Sequence, residues 1–310
     1  MVCSSGCGCR RRPEVAAKLP VIVNKNGGTA SKLGDDLVPK LAEAFEAAGA
    51  PAAIEPLDGE DIPAAIEKAA KQGRVVVAGG DGTVSCAAGV LAGGDAELAL
   101  LPLGTLNHLA RDLGLPSDLK KAAKIAATGR PTAIDVAEVN GKVFVNNASI
   151  GLYPLMVRER EGLQDHKGWP KWLSTIPAAY AALERLPHHR LRIDLGNGER
   201  VIVTPLLFVG NNAYSLDAGE LGQRASLTDG KLSVYAVAHR SRLSLIWFAA
   251  RALVGRARHD VDFVALGECE TLTVRSSGKT IEIALDGEVQ RLKSPLEFRV
   301  RPGALTVVAP

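Results

Sequence analysis

The stretch Arg74-Val75-Val76-Val77-Ala78-Gly79-Gly80-Asp81-Gly82-Thr83-Val84 narrows the choice of fold more than any other part of the chain. A run of β-branched residues suits a strand buried on both faces, which is the pattern of a parallel sheet. It stops at three glycines and an aspartate, and a helical pattern opens at Val84. Strand, tight glycine turn and helix start together gather unpaired backbone N–H groups that can surround an anion. Glycine lets a phosphate approach the main chain where a Cβ would block it. Thr83 is placed to cap the helix. The turn is therefore read as a nucleotide phosphate site, with a plain helix-capping connection as the alternative.

The residues around this turn continue the pattern. Residues 19–23 read as a buried strand, 33–48 as a helix, 52–54 as a weak strand, 62–70 as a helix, 98–101 as a strand and 119–128 as a helix. Strands alternating with helices over short loops call for a doubly wound parallel sheet, which binds ligands beyond the carboxyl ends of its strands. Three polar or glycine loops fall on that edge: 24–29, 79–83 and 102–107. Asn24 and Asn107 join the turn residues as candidate nucleotide contacts on this basis.

Near Asp135 the texture changes to period-two segments: 143–145, 191–195, 201–209, 232–237, 271–274, 281–285 and 296–300. Turns such as Gly196-Asn197-Gly198 divide them, so a mainly antiparallel sandwich is expected, interrupted by helical stretches at 169–186 and 243–254. At 310 residues, the chain exceeds the ~250–300 at which one core stops growing. The expected division is a tail at 1–17, an α/β domain at 18–134 and a β-rich domain at 135–310, with the active site in the cleft between the domains.

The formal net charge of +3 is too small and scattered for a nucleic-acid footprint. Cys3, Cys7 and Cys9 crowd the tail beside Arg10-Arg11-Arg12, without a C-x-x-C pair or nearby histidine for zinc. No secretory leader or apolar run of ~20 residues is evident, which leads to the expectation of a reduced, cytoplasmic protein. The P-loop, complete G-x-G-x-x-G, G-x-S-x-G and H-E-x-x-H patterns are all missing. His108, His166, His188, His189, His239 and His259 are scattered and read as surface or packing residues.

The acidic residues beside glycine carry more information. A carboxylate among phosphates would be repelled unless a cation lay between them, so Asp81 points to Mg2+. Its alternative is to hydrogen-bond the turn backbone. Asp286-Gly287-Glu288 follows the alternating strand 281–285. It reads either as a hairpin turn or as a carboxylate at a strand end that accepts a proton from a substrate hydroxyl. Thr228-Asp229-Gly230-Lys231 is a further turn, structural on its own.

In this order the segments resemble the diacylglycerol kinase catalytic family, bacterial lipid kinases related to sphingosine kinases. The carrying residues are Gly79-Gly80-Asp81-Gly82-Thr83, then Pro102-Leu103-Gly104-Thr105-Leu106-Asn107-His108-Leu109-Ala110-Arg111, then Asn146-Asn147-Ala148-Ser149-Ile150-Gly151, Asp229-Gly230 and Asp286-Gly287-Glu288. The resemblance implies an ATP- and Mg2+-dependent kinase that phosphorylates a lipid hydroxyl, with diacylglycerol to phosphatidic acid as the leading reaction. It implies that Ala78, Gly79, Gly80, Asp81, Gly82, Thr83, Val84 and Thr105 bind ATP. Asp286 would accept the proton with Glu288 in support. A structural Mg2+ would sit on the Ser226 carbonyl, the Asp229 side chain and the Lys231 carbonyl, with Asp135 in a water–metal network. A homodimer is compatible with the resemblance. The chain departs from the family at His108, where Asp is usual, and lacks the usual Thr near 55–57 and the Pro before the Asp229 turn. A C-terminal helix packing back on the first domain is not expected, because the chain stops soon after Val308.

A lipid kinase works at a bilayer surface. Residues 243–254, flanked by Arg240, Arg242, Arg256 and Arg258, are too short to span and suit peripheral contact with an inner membrane face. Trp169, Trp172 and Tyr180 beside Lys167 and Lys171 are a second candidate, and both stretches read equally as core helices. The rival functions are a kinase of another lipid or of NAD, and an inactive nucleotide-binding sensor. Asp81→Ala and Asp286→Ala are each expected to abolish phosphate transfer in a labelled-ATP assay while circular dichroism shows a retained fold.

Overall fold

The structure, a computed structural model, describes residues 18–151, 189–214, 224, 226–237 and 263–310. The tail at 1–17, the stretches 169–186 and 243–254, and His166, His188, His239 and His259 lie outside the described residues.

The N-terminal part alternates as its sequence dictates. Strands β1 (Leu19–Asn24), β2 (Ala52–Leu57), β3 (Arg74–Gly79) and β4 (Glu97–Pro102) pair in parallel in the order β2-β1-β3-β4. Between them run helices α1 (Gly28–Leu33), α2 (Leu37–Ala47), α3 (Ile62–Ala70) and α4 (Asp81–Leu91), followed by α5 (His108–Asp112) and α6 (Leu119–Thr128). The β3 run is buried on both faces. Val75 and Val77 pack into one apolar cluster with Ile62, Ile66, Ala87 and Leu91. Val76 and Ala78 pack into another with Leu41, Phe45 and Ala122.

Two helix starts differ from the sequence reading. The helix expected from residue 33 begins at Gly28, and a 3-10 turn at Gly34–Asp36 separates it from α2. Gly34 has φ +51°, which no α-helix accommodates, so one long helix cannot form. The other start is α4, which opens at Asp81 rather than Val84, with Gly80 as its cap and no side-chain cap bond. Thr83 is therefore not a capping residue, because its position inside the first turn takes its hydroxyl away from the free N–H groups.

The remaining strands are β5 (Arg130–Val139), β6 (Lys142–Phe144), β7 (Asn147–Gly151), β8 (His189–Asp194), β9 (Glu199–Thr204), β10 (Leu206–Asn211), β11 (Leu232–Val237), β12 (Phe263–Cys269), β13 (Thr271–Arg275), β14 (Thr280–Leu285), β15 (Glu288–Lys293) and β16 (Leu296–Ala309). Among the described residues they complete two sheets. The parallel strands continue as β4-β16-β13-β8-β9, with β5 paired to β16 and β6, into a ten-stranded sheet. The second sheet has six antiparallel strands in the order β12-β11-β10-β7-β14-β15. Phe144, Ile150, Val209, Leu272, Val274, Ile283 and Phe298 fill the space between the two sheets. The rings of Phe144 and Phe298 meet edge to face at 6.3 Å.

The run 201–209, read as one strand, is two strands in different sheets. Pro205 has no N–H to continue a ladder, and the Thr204 hydroxyl donates to the Leu206 carbonyl at 2.8 Å, turning the chain. The expected strand 296–300 runs on to Ala309 across a bulge between Arg301 and Leu305. Beyond the bulge it pairs in parallel with β4 at Thr306 and Val307, so this strand packs back on the first domain. Phe144 has no exposed surface. Phe144→Ala is expected to lower the free energy of unfolding by about 3–5 kcal/mol in an equilibrium urea titration.

Candidate active site

The carboxyl ends of β1, β3 and β4 bring their three loops together, backbone on backbone. A Cβ on Gly104 would lie 2.5 Å from the Gly80 Cα, and one on Gly28 would lie 2.7 Å from the Leu103 carbonyl oxygen. Glycine at 104 is thus required by the approach of the two loops, while a Cβ on Gly80 would sit tightly, 3.2 Å from the Gly104 Cα. Hydrogen bonds then fix the loops. The Leu103 N–H donates to the Gly79 carbonyl at 3.0 Å and the Thr29 N–H to the Leu103 carbonyl at 2.8 Å. Asn24 donates through Nδ2 to the Thr83 hydroxyl at 3.0 Å, so the hydroxyl expected at the helix cap links β1 to α4.

Asp81 braces the third loop. Its Oδ2 accepts the Asn107 N–H at 3.0 Å and its Oδ1 the His108 N–H at 2.7 Å. Asn107 adopts a left-handed conformation, φ 49° and ψ 51°. Its side chain accepts from the Gly104 N–H and donates to the Gly104 carbonyl, both at 2.9 Å. The hydrogen bonds that the alternative reading gave Asp81 within its own turn are made to a neighbouring loop instead, at the residue where the chain carries His108.

A cleft of about 450 Å³ opens over these loops. Asn24, Gly80, Gly82, Thr83, Thr105 and Glu288 line it, joined by Gly27, Gly28, Cys86 and Gly104, which the sequence reading had not singled out as contacts. Ala78, Gly79 and Val84 are buried and do not line it. A second cavity of about 420 Å³ lies between α4 and the β14–β15 hairpin, bounded by Ser85, Gly89, Lys142, Val143, Leu285 and Gln290. Cys86 and Glu288 border both spaces.

The Asp286-Gly287 turn is a tight hairpin, as its alternative reading had it, with positive φ at both residues (47° and 93°) and Leu285 paired to Glu288. Its carboxylate faces inward. Oδ2 accepts the Val145 N–H at 2.8 Å, and Oδ1 accepts those of Asn146 and Asn147 at 2.7 and 3.1 Å. Burial pushes the Asp286 pKa up, against the pull of these N–H groups and the Ser85 hydroxyl. Glu288 stands on the other side of the turn, exposed on the cleft, with Oε1 against Gly82 at the start of α4. Partial burial and then the Asp286 charge push its pKa up as well. Cys86 is raised by burial and by Glu288.

Ser226, Asp229 and Lys231 lie on the turn before β11, and none of them lines the cleft. Asp135 ties that turn down, accepting the Gly230 N–H at 2.7 Å and the Gly303 N–H at 2.8 Å. The Lys231 ammonium pairs with Glu268 at 3.1 Å. Two carbonyls and a carboxylate form an all-oxygen donor set, which fits a hard divalent cation in kind. Among the described residues no group of three His, Cys, Asp or Glu side chains gathers at a metal-binding spacing.

This geometry can be set beside known proteins. The profile of the diacylglycerol kinase catalytic domain matches residues 18–139, and that of the YegS C-terminal NAD kinase beta sandwich-like domain matches residues 160–309. A protein of Mycobacterium tuberculosis named diacylglycerol kinase is 32% identical over 244 residues, 76% of this chain and 76% of that protein. The chain belongs to the diacylglycerol kinase catalytic family. A probable lipid kinase YegS-like of Cronobacter sakazakii is 32% identical over 184 residues, 54% of this chain, and the match spans 58% of that protein's length. The crystal structure of a putative diacylglycerol kinase from Bacillus anthracis superposes with a TM-score of 0.70 at 22% identity, covering 94% of this chain and 95% of that one, a likeness of fold.

In this family member the raised Glu288 pKa gives a signed expectation. A carboxyl group whose pKa is higher in the folded protein holds its proton more tightly there. Ionising it therefore costs stability as pH rises through the folded value, and costs nothing below the unfolded one. Glu288→Gln is expected to melt at a higher temperature than the parent at pH 7. The two should melt together near pH ~4, below the ordinary glutamate pKa. Thermal melts at the two pH values read the difference.

Proposed function

We infer that this protein transfers the γ-phosphoryl group of ATP to the hydroxyl of a membrane lipid, with diacylglycerol as the acceptor and phosphatidic acid as the product. The observation that carries the reading is the sharing of Glu288 by two adjoining spaces, the glycine-walled cleft and the cavity beside the β14–β15 hairpin. The first suits a nucleotide, whose phosphates would lie against Gly80, Gly82 and the free N–H groups at the start of α4. The second suits the headgroup of the acceptor.

Phosphoryl transfer asks the protein mainly to align donor and acceptor and to take up a proton late. Glu288 borders both spaces, whereas Asp286 borders neither and is engaged by three backbone N–H groups. This supports the reverse of the roles expected from the sequence. Glu288 accepts the hydroxyl proton, and Asp286 holds the hairpin that presents it. The raised Glu288 pKa suits a proton acceptor, because a more basic carboxylate takes the proton more readily. Thr83 and Thr105 orient the phosphates, and Asp81 keeps the Gly104 loop against the Gly80 loop. Mg2+ bound with the nucleotide supplies positive charge that offsets the charge developing on the phosphates. Asp81 would offer its carboxylate to that metal, whereas the Ser226 and Lys231 carbonyls and the Asp229 carboxylate, which do not line the cleft, would hold a separate structural Mg2+.

No helix among the described residues is long and apolar enough to cross a membrane. Peripheral contact through the stretch at 243–254 remains part of the proposal. Incubation with γ-labelled ATP and Mg2+ tests the reaction, with diacylglycerol, sphingosine or phosphatidylglycerol in mixed micelles and NAD in a parallel reaction. Label is expected in phosphatidic acid and is expected to disappear in Glu288→Gln. Label on another lipid alone reassigns the acceptor, and label on NAD alone makes the protein a kinase of a soluble alcohol. ATP binding without transfer in any reaction would make it a nucleotide sensor.

A further inference from the structure

The glycine turn and the Asp286 hairpin belong to different sheets, yet a line of hydrogen bonds joins them through a side chain outside both motifs. It starts at Asp81, which takes the N–H groups of Asn107 and His108 where α5 opens. At the far end of α5, Asp112 accepts the Nε–H of Arg224 at 2.8 Å. Both side chains are withdrawn from water, with 1% of Arg224 and 4% of Asp112 exposed. The guanidinium then donates to the Val145 carbonyl and, at 3.1 Å, to the Asn146 side-chain oxygen. Val145 and Asn146 are two of the three residues whose N–H groups hold Asp286. The Tyr214 hydroxyl secures the same place, donating to the Asn146 carbonyl at 3.0 Å, and burial pushes its pKa up to about 12, so it remains a donor.

Each link in this line resists stretching. The five residues of α5 form little more than one helical turn, too short to bend between its ends. A buried ion pair cannot lengthen without leaving an unpaired charge in a medium of low dielectric. The guanidinium is a planar fork whose donors point in fixed directions, so one arginine sets three acceptors at once. We propose that Arg224 is a positioning residue of the reaction: paired with Asp112, it sets the Val145–Asn147 junction, and with it the Asp286–Glu288 hairpin, relative to the nucleotide turn. Its kinetic consequence rests on the kinase reading above. Its structural consequence does not.

The test uses the full chain as the parent, Arg224→Lys, Asp112→Asn and Asp81→Asn. Lysine keeps the charge but cannot reach all three acceptors. Asp112→Asn keeps a hydrogen-bonding oxygen, and serves should the arginine variant fail to fold. Circular dichroism and urea unfolding establish the folded fraction. Hydrogen exchange is followed in the peptide containing residues 145–147, and Kd for a non-hydrolysable ATP analogue and kcat for transfer are measured. The folded Arg224→Lys protein is expected to exchange these amides about tenfold faster than the parent. Its kcat is expected to fall roughly 10- to 100-fold, with the analogue Kd within about twofold of the parent, because alignment is lost and nucleotide binding is not. Asp81→Asn is expected to speed the same amides in the parent and to add nothing in Arg224→Lys. Unchanged exchange at 145–147 in a folded variant overturns the proposal, as does a kcat that falls only in step with the folded fraction. If the parent transfers phosphate to no acceptor, the kinase reading fails and the exchange result alone decides the role of Arg224.

Discussion

Strand β16 pairs with β13 over Leu296–Arg299, with β4 at Thr306 and Val307, and with β5 on both sides of its bulge. This pairing makes the parallel layer and part of the antiparallel layer one sheet. The β14–β15 hairpin belongs to the other sheet, so its spacing from α4, which packs on the parallel strands, follows from this continuous sheet together with the side-chain packing between the two sheets. Both cavities lie in that spacing. A shift of one residue in the β16 register would turn its inward side chains, Leu296 and Phe298 among them, to the opposite face. Burial of those residues thus also holds the width of the cleft.

Within that frame the acidic residues divide by what they touch. Asp81, Asp135 and Asp286 each accept at least two backbone N–H groups from distant loops. Loops that cross one another away from water must satisfy their N–H groups, and a carboxylate with two oxygens can take several of them by strong, charge-assisted bonds. These three aspartates act as joints between loops. Glu288 keeps an open face on the cleft, and partial burial, followed by the Asp286 charge, raises its basicity. In the proposed reaction the chemistry and the architecture rest on Glu288 and Asp286 of one hairpin, which the backbone N–H groups from Val145 to Asn147 brace.

Much of this was legible in the residues themselves. The run Val75–Ala78 ending in glycines needed a strand buried on both faces and a tight turn, and the structure has both, because local sterics and hydrophobic periodicity act over a few residues. The helices at 62–70 and 119–128 fall where their apolar spacing places them. Asp286-Gly287 was open between a hairpin turn and a catalytic carboxylate; the residues form the turn, and the carboxylate, which lines neither cavity, takes the N–H groups of 145–147.

The sequence by itself determined the alternation of strands and helices, the gathering of three glycine loops on one edge and the change to antiparallel texture in the second half. These depend on residue type and short spacing, through propensity, periodicity and glycine's access to positive φ. Tertiary structure alone decided that residues 201–209 divide between two sheets, that β16 rejoins the first layer, and that Arg224 meets Asp112 and Asn146. It also decided which carboxylate is buried and which faces the cleft. Those outcomes depend on partners far away in the chain, whose approach is set by packing and by the need to pair every buried charge and N–H group, and no local pattern encodes them.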